Sequence, residues 1–221
     1  MNNKVNQADI FLESEGDQWY QRNAAVLTRD EIFPDVEIIL SHYTEDSSPA
    51  RVLEVGCGNA SKLSTICERT GAQGYGVDPS AAAVADGMKA DPSLSLTVGI
   101  ASQLDFGDET FDLIFIGFCL YLVDRKDIYK VVAEADRVLK PSGRLAIMDF
   151  DPPVRHKRKY HHKEGIYSYK SQYGDFFTAA GHYHTIAKKS FSHSSEYFSA
   201  DANERVALTL LHKEEDPYPE L

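Results

Sequence analysis

Cysteine is scarce in this chain. Cys57, Cys67 and Cys119 are the only three in 221 residues, and they form no metal-like spacing. A disulfide framework and a cysteine-rich metal site are therefore excluded, and an odd, unpatterned set of thiols argues for a reducing compartment. An excess of positive charge is also missing. With 23 Lys and Arg against 34 Asp and Glu the formal net charge is −11, which argues against sequence-independent binding to nucleic acid. No apolar run is long enough for a bilayer: the longest, 113–123, is short and contains Gly117. The first seven residues are polar, without the apolar core of a secretory leader. There is no repeat and no low-complexity segment. A cytoplasmic globular protein with no membrane partner is the expectation, and its length suits one domain with a full α/β core.

What is present is organised around residues 51–60, Arg-Val-Leu-Glu-Val-Gly-Cys-Gly-Asn-Ala. Val52, Leu53 and Val55 are the apolar, partly β-branched run of a buried parallel strand. Gly56 and Gly58 allow a sharp turn and leave no Cβ between the main chain and a ligand. A helix over 59–69 follows, with Leu63, Ile66 and Cys67 on one face and Gly71 as its stop. Its first amides and the positive end of its dipole would face whatever lies over the glycines.

Several nucleotide ligands use such turns. A dinucleotide fingerprint wants a third glycine where Ser61 stands, and a phosphate-binding P-loop wants a closing Gly-Lys-Ser/Thr that is not there. Instead Glu54 sits two residues before the first glycine. A carboxylate there repels a pyrophosphate and suits an ammonium or sulfonium. At these residues the chain resembles the class I S-adenosylmethionine-dependent methyltransferases: Leu53-Glu-Val-Gly-Cys-Gly58 is similar to their first motif, with Ala60 where the family usually has a third glycine. The resemblance covers about residues 50–150. It implies S-adenosylmethionine as cofactor and an α/β, Rossmann-like, seven-stranded, mostly parallel sheet. An antiparallel C-terminal strand and helices on both faces complete that fold.

Residues 1–50 read as an N-terminal helical arm and 51–221 as the main domain, with a substrate-loop insertion at about 151–182. The arm contains the only tryptophan, Trp19, beside Tyr20 and Arg22, and a second helix over 30–43 with Ile32, Phe33, Val36, Ile39 and Leu40 at helical spacing. Two readings stand for its first half: a helix packing aromatics on the core with Arg22 in a surface ion pair, or a lid. In the lid, Trp19 covers the cofactor and Arg22 forks onto its methionine carboxylate. The Trp-Tyr-x-Arg-Asn run is similar to methyltransferases of surface-carbohydrate pathways.

Further strands are expected at 73–77, 94–98, 111–117 and 144–150, with helices over 80–88 and 124–139. Strand-helix alternation means a parallel sheet with right-handed crossovers. Asp78 lies 24 residues after Glu54, close to the spacing of the acid that holds a ribose in nucleotide-binding βαβ units. Followed by Pro79, it also suits a helix N-cap. Ile100 and Ala101, with Ser102, stand where the family holds adenine, Ile100 replacing the usual acid; the other reading of this stretch is a plain connecting loop. Gly117 and Phe118 would face the sulfonium end, and Tyr121 is either core or acceptor pocket.

After 150 the pattern changes. Arg155, Lys157, Arg158, Lys159 and Lys163 are five cations in nine residues, mixed with His156, His161 and His162. This is either a solvated loop or a clamp, with Tyr167 nearby, for a phosphorylated or nucleotide-linked small molecule. A short helix near 176–180 and two strands at 183–191 and 204–212 close the chain as a hairpin. His182 and His184 share a face, but no third ligand is near, so no metal is assigned.

Methyl transfer needs a base only if the acceptor must lose a proton. Candidates are His161 and His162 first, then His156, Asp149 and Asp151. The expected activity is S-adenosylmethionine-dependent methylation of a small, anionic metabolite, at oxygen, with surface carbohydrate as one setting. Two alternatives stand beside it: an NAD(P)-dependent oxidoreductase and a non-catalytic cofactor-binding scaffold.

Overall fold

The computed structural model describes residues 6–27 and 33–220. The reading of the extreme N-terminus falls largely on residues 1–5, and the start of the expected 30–43 helix, with Ile32, on 28–32; both lie outside the described residues. Nine strands are described: β1 (Arg51–Val55), β2 (Gln73–Asp78), β3 (Ser95–Val98), β4 (Phe111–Gly117), β5 (Leu139–Phe150), β6 (His156–Lys159), β7 (Tyr167–Lys170), β8 (Tyr183–Ser192) and β9 (Arg205–Lys213). Seven of them form one sheet in the order β3-β2-β1-β4-β5-β9-β8. β1 runs parallel to both β2 and β4, while β9 is antiparallel to β5 and to β8. The chain thus reverses direction across the sheet between β1 and β4, the switch point where ligands of open α/β sheets bind.

The helices are α1 (Gln7–Ile10), α2 (Gly16–Asn23), α3 (Pro34–Leu40), α4 (Ser61–Thr70), α5 (Ala81–Ala90), α6 (Ile128–Val138) and α7 (Asp175–Thr178). Period-two alternation sends each central strand's side chains to both faces. Val52, Leu113 and Phe115 meet Ile39 of α3, Leu63 and Ile66 of α4 and Val84 of α5. Leu53, Ile114 and Ile116 meet Ile128, Val131 and Ala135 of α6 and Phe177 of α7. Phe111 and Phe115 are fully buried; truncating either to alanine would cost about 3–5 kcal/mol. Among the described residues no helix is long and apolar enough to cross a membrane.

Several boundaries differ from expectation for local reasons. α4 starts at Ser61, not 59, because Ala60 takes a left-handed φ of 59° and closes the glycine turn. α5 is capped by Ser80, whose hydroxyl accepts from the Ala83 amide, so Asp78 is not the cap. β5 begins at Leu139, since the Pro141–Gly143 stretch is a bulge inside the strand rather than a helix stop. The basic run is not a loop: β6 and β7 pair antiparallel as a separate two-stranded sheet.

The N-terminal arm is fastened at both ends. Gln7 is buried; its amide donates to Leu122 and Tyr167 carbonyls at 2.8 and 3.1 Å, and its Oε1 accepts from the Tyr167 amide at 2.7 Å. A π-helical turn, Phe11–Glu15, then leads into α2. From α2, Asp17 accepts from the Ser80 hydroxyl and the Ala82 amide at 2.7 and 3.0 Å, and Tyr20 donates to Asp86 at 2.9 Å. The arm is thereby tied to the start of α5, above the end of β2.

Candidate active site

The turn after β1 is built to bring backbone close to a ligand. Gly56 and Gly58 have φ of 76° and 54°. A Cβ at position 56 would come within 2.7 Å of the Cys119 Cβ, so the crossing with the segment after β4 leaves no room for a side chain. Both oxygens of Asp78 brace this turn. Oδ2 accepts from the Gly58 amide and Oδ1 from the Ser80 amide, each at 2.8 Å. Burial pushes the Asp78 carboxyl up, and those two amides pull it back down.

Glu54 lies on the other side of the turn. Its Oε2 accepts from the Leu63 amide at 3.1 Å, which caps α4. Its Oε1 faces Gly117, 3.8 Å from where a Cβ there would stand. Burial pushes this carboxyl up to about 8, opposed chiefly by the nearby Lys62 cation. Lys62 itself is held by Asp35, with Nζ 2.5 Å from Oδ2.

A long cleft runs over these two acids. One part, about 870 Å³ with its open mouth included, is lined by Asp78, Pro79, Ile100, Ala101 and Ser102 along the ends of β2 and β3. The other, about 960 Å³ on the same basis, is lined by Glu54, Gly58, Asn59, Lys62, Tyr121, Phe150 and His193. Trp19, Gly56, Gly117 and Phe118 line both, so the two parts meet over the glycine turn under Trp19. Lys62 is the one lysine or arginine among the described lining residues.

The structure thus brings together Trp19, Glu54, Gly56, Gly58, Asp78, Pro79, Ile100, Ala101, Gly117, Phe118 and Tyr121. It places the remaining expected site residues elsewhere. Arg22 bonds Glu15 and lies 3.1 Å from the Tyr160 hydroxyl, which is the ion-pair reading and not the carboxylate fork. Arg155 pairs with Asp175 at 3.1 Å, Lys157 sits 4.4 Å over the Tyr167 ring, and Arg158 bonds Asn203. None of these lines the cleft, nor do His161 and His162; His162 rests edge-on against the Tyr160 ring at 5.4 Å. Arg155, Lys157 and Arg158 are thus each matched outside the cleft, by Asp175 of α7, the Tyr167 ring of β7 and Asn203 before β9.

Of the other candidate bases, Asp151 accepts from Lys188 and Ser190 at 2.8 and 2.9 Å. Asp149 is buried and accepts from the Phe150 and Tyr121 amides at 2.7 and 3.2 Å; burial pushes it up to about 7. His156 has its Nδ1 2.9 Å from the Val154 carbonyl oxygen. Sequence reasoning missed His193, which lines the cleft from the connection between β8 and β9. Its only sequence signal is its place directly after a strand that ends at the ligand edge of the sheet.

The methyltransferase domain family matches residues 53–147. A demethylmenaquinone methyltransferase from Streptomyces avermitilis is 38% identical over 110 residues, 49% of this chain and 46% of that protein. A ubiquinone/menaquinone biosynthesis C-methyltransferase from Vibrio vulnificus is 48% identical over 54 residues, 24% of this chain and 20% of that one. Each match therefore spans less than half of the relative's length. Among solved structures, the 1,6-didemethyltoxoflavin-N1-methyltransferase of Burkholderia thailandensis, with 1,6-didemethyltoxoflavin and S-adenosylhomocysteine bound, superposes with a TM-score of 0.73 at 19% identity. That superposition covers 93% of this chain and 88% of the other and shows a common fold. Residues 53–147 thus match a methyltransferase domain family, and the sheet order is the one implied by the resemblance to class I S-adenosylmethionine-dependent methyltransferases.

Proposed function

We propose that the cleft binds S-adenosylmethionine and that the chain transfers its methyl group to a small molecule. The observation that carries this is the pair of carboxylates on either side of one glycine turn. Asp78 stands at the tip of β2 and Glu54 presents Oε1 beneath Gly117. Ser61 in place of a third glycine, the acid Glu54 beside the turn and a lysine already paired with Asp35 disfavour a pyrophosphate, which speaks against the nicotinamide alternative. The two acids suit an adenosyl amino acid: vicinal ribose hydroxyls donate to Asp78, and an ammonium pairs with Glu54. Ile100 and Ala101 offer an apolar seat for adenine, and Lys62 with the first turn of α4 is left for the carboxylate.

Bound S-adenosylmethionine supplies an electrophilic methyl on a positive sulfur. The chain's part is to hold the acceptor in line with it and keep water away. Trp19, carried by an arm fixed through Gln7, Asp17 and Tyr20, closes the cleft from above. The anionic, phosphorylated or nucleotide-linked acceptor expected from the basic run has no support in the cleft, because Arg155, Lys157 and Arg158 do not line it. The two curated relatives are named for quinone-pathway methylation, which favours a ring acceptor over a sugar phosphate. Calorimetry with S-adenosylhomocysteine tests the binding half: a measurable heat is expected from the wild type, and none from Asp78→Ala. Transfer of radiolabelled methyl to a small molecule tests the other half. It also separates an enzyme from a scaffold that binds without turnover.

A further inference from the structure

At its β5 end the cleft becomes a box of aromatic rings. Phe118 meets the Phe150 ring at 5.8 Å and 78°, and the His193 ring at 5.4 Å and 70°. Tyr121 meets Phe150 at 5.2 Å and 85°. His193 and Phe150 lie parallel, 8° apart, with ring centres 6.0 Å from each other. Trp19 borders the same space. Edge-to-face walls of this kind present flat π surfaces at right angles, which suit a planar ring and carry no cation of their own for a sugar phosphate.

His193 is the one polar, titratable ring in the box whose nitrogens no described residue occupies. Its backbone is fixed, the amide donating to the Glu204 carbonyl at 2.7 Å, while its imidazole is exposed to the cleft. Tyr121 cannot take a proton: burial and then the charge of Asp149 push its phenol far up, so it remains a donor. Beyond Glu54 and Lys62, which line the same part of the cleft, the charged groups around the box are Lys170 of β7, 3.5 Å over the Phe150 ring, and the buried Asp149 at the end of β5. Neither lines the cleft, and Asp149 is already committed to the amides of Tyr121 and Phe150.

We infer that this box is the acceptor subsite, that it takes a flat aromatic ring bearing an ionisable hydroxyl, and that His193 is the base for that hydroxyl. This rests on the methyltransferase reading above. The ring hydroxyl gives its proton to the imidazole, leaving imidazolium and a phenolate. The phenolate, through its oxygen or the carbon beside it, takes the methyl and leaves the S–CH3 electron pair on sulfur. Methylation at carbon is completed by loss of the ring proton to water, and the imidazolium returns its proton to water in either case.

The test uses phenols and naphthols whose hydroxyls ionise above and below the assay pH, with wild type and His193→Gln. For hydroxyls still protonated at that pH, turnover should fall about 10²–10⁴-fold in the variant, the usual worth of a general base. For those already ionised it should change little. Two readouts do not depend on turnover. Trp19, the only tryptophan, should change its fluorescence when ring acceptors enter the complex with S-adenosylhomocysteine. A nitrophenol bound in that complex should show more of its coloured phenolate with wild type than with His193→Gln. A uniform loss across the series, or no loss, overturns the role of His193. Failure of every ring compound to bind while S-adenosylhomocysteine binds overturns the subsite. Failure of wild type to bind S-adenosylhomocysteine overturns the underlying reading instead.

Discussion

Binding of S-adenosylhomocysteine at pH 7 should expel close to one proton from the protein. Burial places the Glu54 carboxyl at about 8. One pH unit below that value a carboxyl is roughly 90% protonated. The ligand's ammonium beside Oε1 favours the carboxylate, so ionisation on binding releases about 0.9 proton; any protonated Asp78 adds to it in the same sense. Affinity follows the same linkage. Below pH 8, and down to the bound-state value, each unit of acidification should weaken binding about tenfold, or ~1.4 kcal/mol. Calorimetric titration in buffers of different ionisation enthalpy reads the proton count as a slope. Glu54→Gln provides the control, since its amide oxygen can still accept from Leu63 and keep α4 capped. It should bind about 10–100-fold more weakly, as expected for losing one charge-assisted contact, and release no proton from this site. Tight binding by wild type with no proton release, or equal release by the variant, would refute the assignment of Glu54.

The same carboxyl makes ligand-free stability depend on pH. Its folded value lies above the ordinary 4.5, so its stabilising contribution is complete below pH ~4.5 and lost as pH rises through about 8. Asp149, raised to about 7, acts in the same direction. Melting temperatures should therefore fall between pH 5 and 8.5, and less steeply in Glu54→Gln; a rise would contradict this. Gly56→Ala should destabilise by about 1–3 kcal/mol in urea titration, from its left-handed φ and from the 2.7 Å approach to Cys119. Gln7→Leu leaves the Leu122 and Tyr167 backbone groups unpaired, at about 1–3 kcal/mol for each group that stays buried, and should speed proteolysis of the arm; an unchanged rate would show the arm is held elsewhere. Alanine at Lys157 and Arg158 together should leave the acceptor KM within about twofold, as for ordinary surface changes, and a tenfold rise would restore the clamp.

The sheet and the part of the cleft around the glycine turn were legible because local pattern and tertiary placement coincide there. β1 and β4 are continuous apolar runs, and a glycine turn beside an acid admits few arrangements. The aromatic part of the cleft was not legible, because it depends on which segments meet at the sheet's edge. Trp19, Tyr121, Phe150 and His193 come from four distant stretches, and nothing in their neighbours' spacing announces a common wall. The basic run misled for a related reason. Local charge says what a segment can bind, but the partners Asp175, Tyr167 and Asn203 lie up to 45 residues away in sequence. The hairpin within that run also lacks the apolar alternation that marks a strand, since His156–Lys159 is exposed on nearly every position. Arg22 shows the limit of motif likeness: the residue stands in the expected arm, yet the buried Glu15 one helical segment earlier takes its charge.

A crystal structure of the chain with S-adenosylhomocysteine bears most directly on the central claim. The ribose hydroxyls should be found on Asp78, the adenine beside Ile100 and Ala101, the amino group at Glu54 Oε1, and the sulfur turned toward Tyr121 and His193. An unfilled cleft at saturating ligand, or an adenine lodged among Phe118, Phe150 and His193, would contradict it.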